Sequence, residues 1–303
     1  MKCFYHGDAD GQVSATWVFD YELDNKDYTL NEEDFIMMQY DIVFPMNRIE
    51  KDERVYIVDF SIQPNEMSEL LKITKNVIWI DHHKTAIEKY DDFHYEISGL
   101  RYDGVAGCEL TWAYLNKMVE PKIDEQMREF NLKMLEDCPM TTRYIGDYDV
   151  WKFEFGDATR YFLDGYHLLD NNPYSNDMRV LILEHDYSIG EELIKSGMTV
   201  NKYKTNRMRS VVNGYSYEAE FEGHKILVCN SHERTSVLFG DRFEDYDFCS
   251  AYMHKGDNFS ISLYSKNGKE GIDVSKLAVK YGGGGHWNAC GFECKELPFK
   301  KIN

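Results

Sequence analysis

The sequence predicts an α/β protein built from two domains, on three observations. In the first third of the 303-residue chain, short apolar runs typical of strands alternate with segments whose apolar residues recur at helical spacing. From about residue 105 to 190 the pattern is mainly helical. From about residue 215 it changes to strand-like runs followed by a single helix. We therefore expect a mostly parallel, doubly wound sheet flanked by helices, and a smaller C-terminal α/β domain.

Individual elements follow from the same patterns. The strands predicted in the first region are 2–6, 35–40, 55–60 and 77–80. The helices predicted between them are 11–23 and 65–73. Near the C-terminus, a helix is predicted from the spacing of Val274, Leu277, Ala278 and Tyr281. A basic, polar stretch near 200–213 predicts a connector, so we expect domains over 1–190 and 213–303 joined by a connecting helix or linker over 191–212.

Composition favours a cytoplasmic protein. No apolar run approaches the roughly 18 to 20 residues that span a bilayer, so no membrane association is expected. The first residues, MKCFYHGDADG, lack the apolar core of a signal peptide. The seven cysteines are scattered without a CxxC pair, which is typical of a reducing compartment and argues against a zinc ribbon.

The charge balance limits the partners. The chain has 53 acidic and 34 basic residues, a formal net charge of −19. Nonspecific binding of nucleic acid depends on basic patches that release counterions, so a chain this acidic should repel long duplexes. Any nucleic-acid substrate is therefore expected to be small and held locally.

Acidic and imidazole side chains follow three of the predicted strands. They are His6, Asp8 and Asp10 after the first, Asp59 at the end of the third, and Asp81, His82 and His83 after the fourth. In open parallel sheets, ligands bind outside the carboxyl ends of the strands, so these side chains should share one site. Oxygen and nitrogen ligands without cysteine favour Mn²⁺ or Mg²⁺. Taken singly, an aspartate after a strand is more often a cap or turn residue.

The number of candidate ligands suggests two metal ions. Two ions about 3.5–4 Å apart can share a hydroxide nucleophile and hold a phosphoryl group during in-line displacement. Such a pair needs a bridging carboxylate, and Asp59 is the natural candidate. Asp147 and Asp149, in the segment IGDYD, could complete the shell or be surface acids.

A second motif, GGGGH, covers 282–286. Consecutive glycines let the backbone approach a ligand, and their N–H groups can form an anion-binding nest. His286 could then contact a phosphate. The alternative is a helix C-cap glycine followed by a turn.

In this order, the motifs resemble those of the DHH/DHHA1 phosphoesterases. The matching segments are HGDADG, VDFS, DHH, IGDYD and GGGGHWNACGF, which run from residue 6 to residue 292. The likeness is strongest to bacterial nanoRNases, with relatives that act on cyclic nucleotides or on 3′-phosphoadenosine 5′-phosphate (pAp). The resemblance implies a DHH catalytic domain over 1–190, a DHHA1 substrate-binding domain over 213–303, and an active-site cleft between them.

The resemblance also implies two Mn²⁺ ions, with Mg²⁺ or Co²⁺ as substitutes. The ligands of the first ion would be His6, Asp8 and a bridging Asp59. The ligands of the second would be Asp10, His82, Asp147 and the same bridge. Asp147 is preferred to Asp149 because the family's fourth acidic ligand follows a small residue after an apolar run, as in IGD.

Further roles follow from the resemblance. Asp81 would orient a ligand, and His83 would lie near the scissile phosphate and stabilise charge or assist the leaving group. Gly284, Gly285 and His286 would hold the far phosphate or nucleoside. Many relatives have Ser-x-Arg-Ser where this chain has Ser262–Ser265, so Tyr264 replaces a phosphate-binding arginine and either contacts substrate or belongs to the core.

The function expected from the resemblance is hydrolysis of short oligonucleotides to mononucleotides. The alternatives are a cyclic (di)nucleotide phosphodiesterase, a pAp phosphatase, and a non-catalytic nucleotide sensor. The polarity of cleavage, the choice of RNA or DNA, and the existence of a homodimer stay open.

Overall fold

The computed structural model describes residues 1–23, 29–40, 42–116, 135–183, 188–266 and 271–302, except for the side chain of His286. The chain divides into two compact units, Met1–Val200 and Asn201–Asn303. The division falls within the segment for which a connector was predicted. A long helix, Ser188–Tyr215, contains it.

The first unit contains a four-stranded, wholly parallel sheet. Its strands are β1 (Lys2–His6), β2 (Phe35–Met38), β3 (Val55–Val58) and β4 (Val77–Ile80). Their order in the sheet is β2-β1-β3-β4, so the chain moves to one side of β1 and then returns to the other. The predicted parallel, doubly wound sheet is confirmed, and its switch point lies between β1 and β3.

Both faces of this sheet are buried. Along β1, Cys3 and Tyr5 belong to one apolar cluster and Phe4 belongs to another, as the two-residue period of a strand requires. All four residues of β3 are buried. Near-continuous apolar strands are typical of parallel sheets covered by helices on both faces, which is why these short runs predicted the fold correctly.

The described helices of the first unit lie between and after its strands, and the last of them continues into the second unit. They are α1 (Ala9–Leu23), α2 (Pro64–Ile73), α3 (Lys84–Ile87), α4 (Gly107–Leu115), α5 (Met140–Asp149), α6 (Asp157–Tyr166), α7 (Asn176–Leu183) and α8 (Ser188–Tyr215). Helix α2 packs on one face of the sheet, and α1 and α4 to α7 pack on the other. Short 3₁₀ helices cover Glu32–Asp34, Met46–Arg48 and Glu88–Tyr90. Within the described ranges, no helix has both the length and the apolar character to cross a membrane.

The second unit contains a seven-stranded mixed sheet of order β11-β5-β6-β7-β8-β10-β9. The strands are β5 (Ser216–Phe221), β6 (His224–Asn230), β7 (Phe248–Lys255), β8 (Asn258–Ser265), β9 (Gly284–His286), β10 (Ala289–Cys294) and β11 (Lys300–Lys301). Helix α9 (Val274–Lys280) packs on one face. The other face is covered by residues of α8 and of the 3₁₀ segment Ser236–Asp245.

Candidate metal centre

The predicted ligands of the first unit converge at the carboxyl ends of its strands. Strand β1 ends at His6, and β3 and β4 are followed directly by Asp59 and Asp81. These ends flank the switch point between β1 and β3, where a doubly wound sheet has its crevice.

Asp59 is the central residue of this crevice. Its side chain is 1% exposed, and neither carboxylate oxygen has a hydrogen-bond partner in the described parts of the chain. Its backbone is in the left-handed region, with φ of 49°. This conformation is uncommon for a residue other than glycine, although aspartate tolerates it better than most. Buried carboxylates are normally paired, so two unpartnered oxygens in a strained loop fit a site for a cation.

Three groups of potential metal ligands lie around Asp59 in the described parts of the chain. The first group is His6, Asp8 and Asp59, the second is Asp10, His82 and Asp149, and the third is Asp59, His82 and His83. In the first group, Nδ1 of His6 lies 2.6 Å from Oδ2 of Asp8 and 3.8 Å from Oδ2 of Asp59.

The second group is connected to the first through His82. Its Nε2 atom lies 3.2 Å from Oδ1 of Asp59 and 3.3 Å from Oδ2 of Asp149. It also lies 3.6 Å from Oδ2 of Asp10. Apart from Asp149, these are the two ligand sets that the sequence analysis assigned, and Asp59 lies between them as a bridge would.

The carboxylates of the site repel one another. Burial, followed by the charges of Asp10, Asp8, Asp149 and Asp81, raises the pKa of Asp59 well above its ordinary value. Burial and the charges of Asp10 and Asp8 likewise raise the pKa of Asp149 to about 8. Divalent cations would relieve this repulsion, so the donor set fits hard cations such as Mn²⁺ or Mg²⁺.

Asp10 is held by the N-terminus of α4. Its two carboxylate oxygens accept hydrogen bonds from the backbone N–H groups of Gly107 and Cys108, each at 2.7 Å. A Cβ on Gly107 would lie 2.8 Å from Cβ of Asp59 and 3.0 Å from Oδ2 of Asp10. Glycine at this position therefore lets α4 approach both carboxylates, a role that the sequence analysis missed because VAGCEL shows only a helical pattern.

Asp81 fixes the orientation of His83. Asp81 is fully buried, and its Oδ1 accepts hydrogen bonds from the backbone N–H groups of His82 and His83 and lies 2.7 Å from Nδ1 of His83. Its Oδ2 accepts a hydrogen bond from the hydroxyl of Ser61. Burial alone would lower the pKa of His83, but the hydrogen bond and the charge of Asp81 outweigh it and raise that pKa. With Nδ1 engaged, the Nε2 atom of His83 stays available for another partner.

The structure places Asp149, and not Asp147, in the ligand cluster. Asp147 accepts hydrogen bonds from the backbone N–H groups of Glu154 and Phe155 and from the hydroxyl of Thr159. Both aspartates lie on α5, where residues two apart point about 200° apart around the axis, so only one can face the site. The preference for Asp147 over Asp149 is therefore corrected by this geometry.

Gly146, the small residue on which the preference for Asp147 rested, has a different role. A Cβ on Gly146 would lie 2.7 Å from Cδ of Glu109 on α4, so this glycine permits the close approach of α5 to α4. It says nothing about which neighbouring aspartate is turned toward His82.

Tyr40 was not predicted, although it follows the C-terminal end of β2. Its ring centroid lies 5.0 Å from that of Phe60, 5.7 Å from that of His6 and 6.2 Å from that of His83. The residue is 57% exposed. An exposed aromatic ring thus lies beside the imidazoles of the site. The sequence pattern placed Tyr40 inside the strand predicted over 35–40, so it gave no sign of this position.

The glycine motif of the second unit follows α9, and its last three residues form the short strand β9. Gly282 and Gly285 have positive φ values of 80° and 135°. A Cβ on Gly283 would clash with the backbone carbonyl oxygen of Gly291. A Cβ on Gly284 would meet nothing within 4 Å, so three of the four glycines have a backbone or packing reason and Gly284 has neither.

The remaining predicted substrate contacts also lie in this unit. Tyr264 is 8% exposed and belongs to the apolar cluster beneath α8, with its ring centroid 6.4 Å from that of Phe239. It also lines a groove on the sheet. The backbone of His286 pairs with Ala289, but its side chain lies outside the described residues, so its predicted phosphate contact stays a prediction.

Comparison with known proteins supports the fold. No protein-family sequence profile matches the chain. An uncharacterized protein of Acanthamoeba polyphaga mimivirus is 24% identical over 319 residues, covering 99% of this chain and 69% of its own length. Among solved structures, the DHH domain of a protein described as a member of a ribosomal protein family superimposes with a TM-score of 0.56 at 13% identity, covering 99% of this chain and 82% of the other.

A second solved structure is the pGpG-specific phosphodiesterase PggH of Vibrio cholerae. Its TM-score is 0.52 at 13% identity, and the match covers 97% of this chain and 93% of that one. Such identities establish the fold, and the predicted motifs lie at the expected strand ends within it. The chain therefore has the fold of a DHH-domain protein.

Proposed function

We propose that this protein is a divalent-cation-dependent phosphodiesterase that hydrolyses short oligonucleotides to mononucleotides. The observation that carries the proposal is the set of ligand groups around Asp59, whose buried carboxylate oxygens form no hydrogen bond within the described residues. Two cations held a few ångströms apart are the arrangement that many phosphoester hydrolases use.

The cations we propose are two Mn²⁺ ions. One would be held by His6, Asp8 and Asp59, and the other by Asp10, His82, Asp149 and Asp59. When bound, such ions lower the pKa of a water molecule and draw charge from the phosphoryl oxygens. The protein supplies rigid ligands: Gly107 and Cys108 hold Asp10, and the N–H of Gly11 donates to Asp8 at 3.0 Å.

The pair of Asp81 and His83 would act directly on the phosphodiester. Oδ1 of Asp81 lies 2.7 Å from Nδ1 of His83, a contact that favours a proton on Nδ1 and fixes the plane of the ring. We propose that Nε2 of His83, the ring nitrogen that does not face Asp81, contacts an oxygen of the scissile phosphate. In this role His83 stabilises charge as the bond to the leaving oxygen breaks.

The proposed size of the substrate rests on the net charge of the chain and on the exposed aromatic ring of Tyr40. With a net charge of −19, the chain offers little general attraction for a polyanion, so affinity must come from local contacts. The exposed ring of Tyr40 can stack against a base beside the cations, and stacking tolerates any base. Gly284 leaves space for a ligand close to the backbone. PggH, which shares the fold, acts on pGpG, a linear dinucleotide of the proposed size.

The experiment is a Mn²⁺-dependent hydrolysis panel on the purified protein. It contains labelled RNA and DNA of two to about 24 nucleotides, cyclic mono- and dinucleotides and pAp, with EDTA and His83→Ala as negative controls. Cleavage of two- to five-mers that fades with length is expected. Preference for a cyclic nucleotide or for pAp would replace the substrate assignment, and absence of turnover on every substrate would contradict the proposed activity.

A further inference from the structure

A cavity of about 300 Å³ lies in the first unit beside Trp79 of β4. Its other lining residues come from the end of α3, the 3₁₀ helix Glu88–Tyr90 and residues 91–101. None of the described residues that line it is a proposed metal ligand, so the cavity is separate from the metal centre. Its volume is at the lower end of the roughly 300–1,000 Å³ of small-molecule pockets, so its ligand must be small.

Aromatic rings form one wall of this cavity. Trp79 is 2% exposed, and its ring centroid lies 4.4 Å from that of Tyr90, which lies 5.0 Å from that of Phe93. The indole Nε1 of Trp79 donates a hydrogen bond to the carbonyl oxygen of Phe60 at 3.1 Å. The hydroxyl of Tyr90 donates to the carbonyl oxygen of Ile62 at 2.7 Å. These bonds hold the wall in place before any ligand binds, which lowers the free-energy cost of binding.

Arg101 brings a positive charge to the same wall. Its Cζ atom lies 5.3 Å from the ring centroid of Trp79. Its Nη1 atom donates to the carbonyl oxygens of Trp79 and Ser98 at 2.9 and 3.1 Å, and its Nη2 atom donates to that of Ile97 at 3.0 Å. Within the described ranges, no carboxylate lies within ion-pair distance of this guanidinium.

Two donors of Arg101 are left for a ligand. A guanidinium has five N–H donors, and the bonds to carbonyl oxygens use three of them, so one on Nε and one on Nη2 remain. Adjacent donors of this kind match the two oxygens of a carboxylate. Burial lowers the pKa of Arg101 to about 10, so the group is still a cation at neutral pH. A carboxylate in the cavity would therefore neutralise a partly buried charge.

The mouth of the cavity is acidic. Asp91 and Glu96 line it and are exposed, and neither has an ion-pair partner among the residues that the structure describes. His94, which is also exposed, is the other lining residue that can carry charge near neutral pH. The ammonium of Lys75 lies 5.1 Å from the ring centroid of Tyr95, but Lys75 does not line the cavity. The cavity therefore offers a cation at its wall and two carboxylates at its mouth.

We propose that this cavity binds a small zwitterion, an α-amino acid with an aromatic or aliphatic side chain. Its carboxylate is held by the two remaining donors of Arg101, and its side chain packs on Tyr90 and Phe93. Its ammonium group faces Asp91 and Glu96. A simple anion would meet these two acids without compensation, and a simple cation would meet Arg101 in the same way. The assignment does not rest on the proposed hydrolysis.

The test is isothermal titration calorimetry of the full chain in EDTA, so that no cation in the metal centre contributes. The probes are L-phenylalanine, hydrocinnamate, which lacks the ammonium group, and phenethylamine, which lacks the carboxylate. We expect phenethylamine to bind about tenfold more weakly than phenylalanine or worse, because it loses the charge-assisted contact with Arg101. This comparison needs no variant of Arg101, whose bonds to three carbonyl oxygens also support the fold.

Two variants with matched controls locate the binding. Asp91→Asn should weaken binding of phenylalanine by about two- to fivefold, as is typical of an exposed ion pair, and should not weaken binding of hydrocinnamate. Its control is Asp92→Asn, an exposed neighbour that does not line the cavity. Phe93→Ala should weaken binding of phenylalanine and hydrocinnamate alike, because it removes part of the wall. Its control is Tyr203→Ala, which removes a 70% exposed ring from the second unit.

Three results would overturn the proposal. They are equal binding of phenylalanine and phenethylamine, losses in Asp92→Asn or Tyr203→Ala as large as those in their partners, and no saturable binding of phenylalanine by the wild type. Absence of hydrolysis in the Mn²⁺ assay would contradict the proposed function alone, because the calorimetry is done without the cation.

Discussion

The Nε2 atom of His82 lies 3.2 Å from Oδ1 of Asp59, and this contact joins the two ligand groups of the candidate metal centre. His82 follows β4 and Asp59 follows β3, so two neighbouring parallel strands bring them together. Because Asp59 also reaches toward His6, a single carboxylate lies between both groups. The proposed chemistry depends on that shared position.

Replacement of Asp149 by alanine should affect metal binding, and replacement of Asp147 by alanine should affect stability. Asp149→Ala should lose Mn²⁺ affinity and hydrolysis while keeping its stability in EDTA, because it removes a carboxylate that its neighbours repel. Asp147→Ala should lower the free energy of unfolding by roughly 1–3 kcal/mol, since two backbone N–H groups and Thr159 lose their acceptor. Urea unfolding and a turnover assay measure both effects, and loss of metal binding in the Asp147 variant alone would restore the original assignment.

Gly107→Ala should impair the metal centre although it replaces none of the proposed ligands. The added Cβ would lie 2.8 Å from Cβ of Asp59 and 3.0 Å from Oδ2 of Asp10, so α4 or both carboxylates must shift. A misplacement of this kind costs about 10²-fold in turnover in well-ordered sites. Gly214→Ala is the matched control, because a Cβ there meets nothing within 4 Å. Equal activity of the two variants would show that the approach of α4 does not matter.

Alanine substitutions of two neighbouring glycines in the second unit should change different properties, one the stability and the other the binding of substrate. Gly285 has φ of 135°, and its Cβ would lie 2.7 Å from Cα of Cys290, so Gly285→Ala should lower stability by about 1–3 kcal/mol. Gly284 has open space around it, so Gly284→Ala should keep its Tm but bind the substrate less tightly. Thermal melts and KM values measure the two effects. Unchanged KM in a stable Gly284→Ala protein would remove Gly284 from the substrate contacts.

The stability of the metal-free protein should depend on pH through Glu109. Burial, followed by the charge of Asp10, raises its pKa from 4.5 to about 7. Between these values the unfolded chain has lost the proton and the folded protein retains it, so stability falls as pH rises. Glu109→Gln removes this penalty, which amounts to roughly 3 kcal/mol above pH 7 and vanishes near pH 4.5.

Urea unfolding of Glu109→Gln and the wild type in EDTA at pH 5 and pH 8 measures the difference. Glu88→Gln is the control, since Glu88 is exposed and no such gain is expected from it. A gain for Glu109→Gln that is the same at both pH values would contradict the assigned cause.

The sequence predicted the sheet of the first unit well because its signals are local. Strands β3 and β4 are apolar throughout, and β1 is apolar at Cys3–Tyr5. The ligands lie at the end of each strand or just after it, so the topology of parallel strands brings them to one edge. Order along the chain alone therefore predicted one site for seven side chains: His6, Asp8, Asp10, Asp59, Asp81, His82 and His83. Their division into metal ligands and other roles came from the resemblance.

What the sequence missed depends on contacts between distant elements. The choice between Asp147 and Asp149 is set by the rotation of α5 against α4, which no local pattern contains. Gly107 matters only because α4 approaches Asp59 from a distant part of the chain.

The most direct test of the central claim is the Mn²⁺ stoichiometry of the wild type and of Asp59→Asn, measured by equilibrium dialysis with elemental analysis. Asparagine tolerates the left-handed backbone of this position, and the change removes one repelled carboxylate, so the variant should fold and be at least as stable in EDTA. The wild type should bind two Mn²⁺ ions per chain, and Asp59→Asn should lose tight binding together with hydrolysis. Equal Mn²⁺ binding by the two proteins would contradict the bridging role of Asp59.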